Sequence, residues 1–543
     1  MIRMNHSTHL AVPVFSDTVE GLRAALLTAI DAGATLVEVR LDLCGEITDD
    51  DVRTAMTNAP PSAQLLLTYR SVAQGGECEE EDEARLCRID RLAPWFDLID
   101  VELDTWRSSE RHRELVRQAL VEPGERPLQS EAPSRRRLIL SVHDFRGRPK
   151  SMQNDLLECV ETPACDIVKI AWSARSVRDC LEAFEILRSC PKPAIAICMG
   201  APGVVSRLLA PRYGAFATFA SLDRQQITAP GQLTISELKT TYRWDALNEA
   251  TSIFGVIGHP VSHSLSPATH NRVFSARGVN AVYTPLDVAP GYESLKAFLL
   301  EAESRPSAGF RGFSVTIPHK LHAMRFLQEQ GGHIDAIAGR VGAINTLAFD
   351  PDGGWRGTNT DYAGALAAIT TGLGMSPQRL AGIRATVLGA GGVSRAVIAA
   401  LVDHGAIVTL SNRTEERMAP MRDEFGIQTA PWERRDASEA DLIVNCTSVG
   451  MAPDTEATPW TGNAFAGGSV VFDTVYTPEE TRLTRDAMGA GATVIRGTAM
   501  FAGQAAAQWA FWFGAATGDD AYERATRDAI DACATDANAP TDF

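Results

Sequence analysis

The sequence predicts an α/β protein in two halves, an N-terminal (β/α)8 barrel followed by a two-domain α/β region. Three observations predict it. Before residue 240, eight short apolar runs alternate with segments of helical periodicity. Polar and charged residues gather at the C-terminal ends of those runs, the end at which such a barrel carries its active site. Later, a strand, a glycine turn, a helix and a second strand follow one another in RATVLGAGGVSRAVIAALVDHGAIVTLSNRT.

The eight runs are HLAVPVF, TLVEVRLD, LLLTYR, LIDVELD, RLILSVHDF, CDIVKIAW, PAIAICMG and FATFA. Amphipathic stretches such as TVEGLRAALLTAIDAG and VRDCLEAFEILRS lie between most of them. An open doubly wound sheet would leave both the count of eight and the one-ended polar pattern as coincidences. The barrel is expected over 1–240, with a linker over 241–250 in the polar stretch SELKTTYRWDALNEATS. A second α/β domain follows over 251–370, completed by a helix over 499–513, and a third over 371–498. In the C-terminal extension 514–543, DDAYERATRDAIDACA is expected to be helical and TDANAPTDF disordered.

Composition agrees with a multidomain globular chain: 543 residues, 45% hydrophobic and 22% charged. The formal net charge of −17 and the lack of a basic stripe argue against nucleic acid and anionic membrane as partners. No apolar run reaches the ~20 residues of a membrane span, and MIRMNHSTHLAVPVF lacks the apolar segment of a signal peptide. The ten cysteines include no CxxC pair, and Cys165, Cys198 and Cys446 sit in apolar runs. They read as reduced thiols of a cytoplasmic protein. No metal is expected.

Lys169 stands in the middle of CDIVKIAW. An isolated lysine there reads first as a structural ion pair, but its company changes that. His143 ends the preceding run, and Arg40, Arg70 and Arg207 come from other run ends to converge on a carboxylate. A lysine with a depressed pKa, held in an apolar barrel beside cations, is prepared to form a Schiff base with a ketone. A neighbouring imidazole then moves a proton on the adjacent carbon. EVRLD, Glu38 to Asp42, resembles the E-x-R-x-D signature of type I 3-dehydroquinate dehydratases. LTYRSVAQGGE, SVHDF, DIVKIA, MGAPGVVSRL and TAPGQ resemble that family's other motifs in order. The resemblance, over residues 10–240, implies that Lys169 forms the imine and that His143 removes the C2 proton and assists loss of the C1 hydroxyl. It also implies that Glu38, Arg40, Arg70, Arg207, Thr228 and Gln232 hold the carboxylate and hydroxyls. Two positions depart from the family. Gln74 stands where a glutamate commonly orients the histidine, so Glu102 is expected as its substitute. Thr228 replaces a serine and keeps the hydroxyl.

In the second half, VLGAGGVSRA is a strand ending in a glycine turn that opens a helix, which lets backbone approach a pyrophosphate at the positive helix end. The next strand ends in SNRT. Arg413 stands there in place of the acidic residue of an NAD site, which favours NADP. Alone, Lys320 reads as a surface lysine and Asp361 as a helix cap. GHPVSHSLSP, FSVTIPHK, GAINTL, GTNTDYAG, NCTSVGM, FDTVYTPEET and GTAMFAGQAAAQW together resemble the shikimate dehydrogenase family from Phe254 to Trp512. The resemblance implies a substrate domain and a Rossmann-like NADP-binding domain, with Lys320 and Asp361 as an acid–base pair. It places Ser264 and Ser266 on the substrate carboxylate, and Thr316, Asn345, Tyr476 and Gln504 on the ring hydroxyls. Around NADP(H) it places Gly389, Ala390, Gly391, Gly392, Val393, Asn412, Arg413, Thr414, Arg417, Thr474 and Gly497. His259 and His263 flank the carboxylate loop and receive no role.

The two resemblances meet at one compound: 3-dehydroquinate would become 3-dehydroshikimate, then shikimate. Two rival readings stand beside this one. A non-catalytic metabolite sensor should have lost catalytic residues, whereas His143, Lys169, Lys320 and Asp361 are all present. A quinate dehydrogenase in the second half is disfavoured by Ser266, Thr316 and Arg413. The sequence assigns no oligomeric state.

Overall fold

In the computed structural model the eight apolar runs are strands β1 (His9–Val14), β2 (Leu36–Arg40), β3 (Gln64–Thr68), β4 (Leu98–Glu102), β5 (Arg137–Asp144), β6 (Ile167–Ser173), β7 (Ala194–Met199) and β8 (Ala217–Phe219). The structure describes residues 7–536 apart from 58, 122–134, 263, 351–353, 437–439, 461–464, 466–467 and 515–519. Two units divide the chain: Met1–Thr251 with Thr284–Val288, and Ser252–Tyr283 with Ala289–Phe543.

The strands of the first unit pair in parallel in the order β7-β6-β5-β4-β3-β2-β1-β8. A hydrogen bond from Phe216 N–H to Ala194 O, 2.8 Å, joins the two ends of the ladder. The pleat then decides what faces inward, because alternate residues of a strand share a face. Leu36, Leu66, Leu98, Ile139 and Ile167 belong to the apolar cluster inside the barrel. Two residues further along each chain come Glu38, Thr68, Asp100, Ser141 and Lys169, and two further again Arg40, Arg70, Glu102, His143 and Ala171. Each inward row therefore changes from apolar to polar as it climbs. The outward residues of β6 stay apolar, and buried Trp172 reaches the helix Arg178–Ser189 through a 3.4 Å bond to Asp179. Each inward Leu or Ile contributes ~1.5–3 kcal/mol of burial, which offsets the cost of enclosing ions above them. After the barrel, the expected linker folds as a short π-turn, Glu237–Thr241, followed by buried Tyr242 and Trp244.

Two sheets follow the barrel along the chain. The first contains β9 (Ser252–Gly258), β10 (Ala281–Asp287), β11 (Phe310–Val315), β12 (His333–Ile334), β13 (Thr346–Asp350) and β14 (Gly354–Thr358). Its order is β10-β9-β11-β13-β14-β12, with β13 antiparallel to both neighbours. The second sheet contains β15 (Arg384–Leu388), β16 (Ile407–Ser411), β17 (Gln428–Ala430), β18 (Leu442–Asn445), β19 (Val470–Asp473) and β20 (Thr493–Ile495). All its pairs are parallel, in the order β17-β16-β15-β18-β19-β20. That is the doubly wound order, with the switch between β15 and β18 where nucleotides bind.

The helix Thr360–Leu373 packs closely on the helix Gly497–Phe513: a Cβ on Gly364 would lie 2.7 Å from Met500 O and 2.9 Å from Gln504 N. The expected C-terminal helix is present as Ala521–Asp536, while the tail 537–543 and His263 lie outside the described residues. Among the described residues no helix is long and apolar enough to cross a membrane. Gly364→Ala should force the two helices apart and destabilise the second unit by ~1–3 kcal/mol, read as a lower urea midpoint.

Candidate active sites

The eight barrel residues singled out from the sequence come together: Glu38, Arg40, Arg70, His143, Lys169, Arg207, Thr228 and Gln232 line one pocket at the C-terminal ends of the strands. The register places Ser141 of β5 beside Lys169 and His143 beside Ala171, one inward step above.

Lys169 differs from the expectation of an ammonium with cations as nearest neighbours. Its Nζ lies 2.9 Å from Asp100 Oδ2, 3.8 Å from Glu38 Oε1 and 4.6 Å from the Phe219 ring centroid. Asp100 stands between it and the nearest arginine, since Arg70 Nη2 meets the same Oδ2 at 2.8 Å and Ser141 donates to Oδ1 at 2.6 Å. Burial alone would raise the Asp100 carboxyl, but Arg70, then Lys169 and His143, hold it well below the usual carboxylate range. Sequence reading missed this residue. Its signal was present in LIDVELD, where Asp100 shares the inward parity of Leu98 and Glu102.

His143 is held by Gln74. The amide oxygen accepts the backbone N–H of His143 at 2.8 Å and faces Nδ1 at 3.2 Å. An oxygen so placed only accepts, so Nδ1 carries the ring proton and Nε2 keeps its lone pair. Gln74 Nε2 donates to Asp104 at 3.2 Å. Burial, then Arg70 and Lys169, push the His143 pKa well below its usual value, opposed by Asp100. Glu102 is not the expected substitute. Its oxygens are taken by Ser71 N–H (2.8 Å), Ser71 Oγ (2.9 Å) and Arg85 (2.9 Å), which tie it to the loop after β3.

The three arginines do not play equal parts. Arg40 is forked onto Asp42 (3.0 and 2.6 Å), and Arg70 is paired with Asp100. Arg207 has no carboxylate partner among the described residues. It is 2% exposed, its Nε lacks a partner, and Nη2 reaches Pro230 O only at 3.5 Å. Burial lowers its pKa to about 10. Gln232 turns its oxygen to Thr228 N–H (2.9 Å) and leaves buried Nε2 without a partner. Two unmatched buried donors thus line the pocket that holds Lys169, an arrangement that suits an anion.

In the second unit Lys320 and Asp361 form a close ion pair, both largely buried. Lys320 opens the helix Lys320–Gln330 directly after β11, and its carbonyl accepts Ile344 N–H at 3.1 Å. Asn345 Oδ1 caps the helix that carries Asp361 by accepting Thr360 N–H at 2.7 Å. Thr316 accepts His319 N–H through its carbonyl at 2.8 Å. Tyr476 lies within reach of the Asp361 charge; burial first, then that charge, raise its phenol pKa. Gln504 is brought to the Asp361 helix by the contact at Gly364. Ser266 is buried, and its backbone N–H donates to Ser264 Oγ at 3.3 Å.

The glycine turn closes against this cluster. Gly389 adopts φ +99°, and a Cβ there would meet Cys446 O at 3.0 Å across the switch point. A Cβ on Gly392 would lie 3.0 Å from Lys320 Cδ, whereas one on Gly391 would meet nothing within 4 Å. The turn from Gly389 through Ala390 to Val393 is therefore an open cradle at a helix N-terminus, beside Lys320. Thr474 N–H is bound to Asn445 O at 3.0 Å, and Gly497 packs on the Thr474 and Val475 carbonyls. At the end of β16, Asn412 bonds Thr414 O at 2.8 Å, while Arg413 and Arg417 are exposed.

A barrel built around a buried lysine and imidazole, joined to a doubly wound nucleotide fold with a lysine–aspartate pair beside its glycine turn, defines a two-enzyme chain: a barrel enzyme and a dinucleotide oxidoreductase. Comparison with known proteins agrees. The type I 3-dehydroquinase family matches residues 10–249, the shikimate dehydrogenase substrate binding domain residues 256–347, and the family described as NADP oxidoreductase, coenzyme F420-dependent, residues 384–477. The bifunctional 3-dehydroquinate dehydratase/shikimate dehydrogenase, chloroplastic, of Arabidopsis thaliana is 33% identical over 93% of this chain and 82% of its own. A shikimate dehydrogenase (NADP(+)) of Methanosarcina mazei is 40% identical over 48% of this chain and 92% of its own. The shikimate 5-dehydrogenase of Thermus thermophilus, solved with NADP(H) and shikimate, is 37% identical over 51% of this chain and 100% of its own, with a TM-score of 0.45. The chain belongs to the family of bifunctional 3-dehydroquinate dehydratase/shikimate dehydrogenases.

Asp100→Asn should destabilise the first unit by ~3–5 kcal/mol at pH 7, because it strips the shared anion from two buried cations. The folded carboxyl lies below its unfolded value, so its contribution is complete above about pH 4 and fades on acidification through the folded pKa. The gap between wild type and variant in urea unfolding should therefore narrow in acid.

Proposed function

We propose that the barrel dehydrates 3-dehydroquinate to 3-dehydroshikimate and that the second half reduces this product to shikimate with NADPH. The observation that carries the reading is what one pocket brings together: the amine of Lys169 and the buried guanidinium of Arg207, which has no carboxylate partner among the described residues. A ketone bearing a carboxylate satisfies both. Arg207 and Gln232 hold the carboxylate, and Glu38, Arg40, Arg70 and Thr228 orient the hydroxyls. Lys169 yields a proton and adds to the ketone; that proton returns to the carbinolamine hydroxyl, which leaves as water, and an iminium remains. His143 Nε2 takes the C2 proton, and the same proton then leaves with the C1 hydroxyl as water. Hydrolysis of the imine frees the product and the lysine.

In the second half NADPH, when bound, supplies a hydride. The open cradle over Gly391 fits its pyrophosphate, and exposed Arg413 and Arg417, with Asn412 and Thr414, fit a ribose 2′-phosphate at the end of β16. Thr474 and Gly497 line the other side. Ser264 and Ser266 hold the substrate carboxylate, while Thr316, Asn345, Tyr476 and Gln504 take the ring hydroxyls. Lys320 gives its proton to the carbonyl oxygen, and Asp361 keeps it charged and in place. The domain division expected from the sequence assigns one reaction to each unit. The nine described cysteines are free thiols, which supports a reducing compartment, the cytoplasm, as the location.

A coupled assay with 3-dehydroquinate and NADPH tests the reading. Lys169→Ala should abolish the coupled reaction, at least ~10³-fold, and spare reduction of added 3-dehydroshikimate. Lys320→Ala should abolish both the coupled reaction and reduction of added 3-dehydroshikimate while sparing formation of 3-dehydroshikimate from 3-dehydroquinate, and borohydride trapping with 3-dehydroquinate should label Lys169 alone. Loss of both activities in a folded Lys169→Ala chain contradicts two separate sites. The pH profile gives a second check. Because His143 is depressed, dehydratase kcat/KM should hold as pH falls through 6.5 and decline only below it. Gln74→Glu, by adding negative charge at Nδ1, should move that decline to higher pH.

A further inference from the structure

The second unit contains a buried polar chain that the roles above leave unused. His270, on the helix Ser266–Ala276, is 0% exposed and bonded at both ring nitrogens, Nδ1 with the Tyr522 hydroxyl at 2.9 Å and Nε2 with Gln508 Oε1 at 3.1 Å. Gln508 Oε1 also accepts from Ser314 Oγ at 3.0 Å. The Tyr283 hydroxyl donates to Ser314 Oγ at 2.6 Å. The His270 ring stacks on Tyr283 with centroids 4.4 Å apart and 14° between planes.

Donor and acceptor rules fix the direction of this chain. The amide oxygen only accepts, so His270 carries its proton on Nε2, and its Nδ1 accepts from Tyr522. Burial holds the imidazole neutral, with its pKa down at about 3. Ser314 gives its hydrogen to Gln508 and therefore receives one from Tyr283. His270 stands one turn after Ser266 on the helix Ser266–Ala276, so the bond from Tyr522 ties the C-terminal helix to the helix that opens at Ser266 beside the substrate loop. A buried network of this kind specifies geometry well only when every member is satisfied.

We propose that Tyr522 is a positioning residue for the reductase substrate, acting through His270 to fix the helix Ser266–Ala276 and so to hold Ser266, one turn before His270, where it receives the substrate carboxylate. The proposal rests on the reading of Ser266 as a carboxylate ligand, and it makes the C-terminal helix Ala521–Asp536 a working part of the site.

The test is a double-mutant cycle on the full chain with 3-dehydroshikimate and NADPH. Tyr522→Phe should raise KM for 3-dehydroshikimate ~3–10-fold, the range for one net hydrogen bond. The kcat value and KM for NADPH should stay within about twofold, which shows that the unit remains folded. In a Ser266→Ala background, itself raised in KM, Tyr522→Phe should add nothing, because its route to the substrate is already cut. An unchanged KM in Tyr522→Phe, or an additive rise in the double variant, overturns the proposal while leaving the functional reading intact. A wild-type chain that reduces no 3-dehydroshikimate defeats the functional reading itself, and the proposal with it.

Discussion

A charge enclosed by protein must be answered by another, and both halves of this molecule are organised by that requirement. In the barrel one carboxylate, Asp100, answers two cations, Arg70 and Lys169. In the second half Asp361 answers Lys320. The arrangement explains how a lysine comes to rest in the middle of an apolar strand. It also gives meaning to the exception: in a pocket where Arg40 and Arg70 are matched, buried Arg207 is not.

The supporting structure follows from the same requirement. The apolar rows beneath Glu38, Asp100 and Lys169 supply the burial energy that makes an enclosed ionic layer affordable. The two-residue repeat of the strands ensures that these ions reach one level from three different strands. In the second half short-range geometry does the comparable work. A glycine turn brings backbone N–H groups beside Lys320, and the close helix contact at Gly364 carries Asp361 and Gln504 together.

Much of this was legible in the primary structure. Eight apolar runs with polar ends specify a barrel and its active end, since alternation and run length depend only on neighbouring residues. Lys169, His143 and the arginines were recognisable in the same way, as were the glycine turn and Arg413. Less legible were pairings between distant strands. Asp100 was hidden because its partners stand 30 positions before it and 69 after it, a separation that no local pattern records. Glu102 was misread for the complementary reason. It lies on the strand next to His143, but Ser71 and Arg85 claim its oxygens from another loop.

By itself, then, the sequence determined the element types, the active end of the barrel, the nucleotide turn and the chemistry of the principal side chains, all properties set by composition and spacing over short range. Tertiary structure alone decided which ions share a carboxylate, which nitrogen of His143 carries its proton, which arginine is left unmatched and how a tyrosine of the last helix reaches a histidine 252 positions earlier. Those outcomes depend on hydrogen-bond directions and desolvation across strands and helices remote in the chain. They exist only once the sheets have closed and each buried donor has been matched or left waiting.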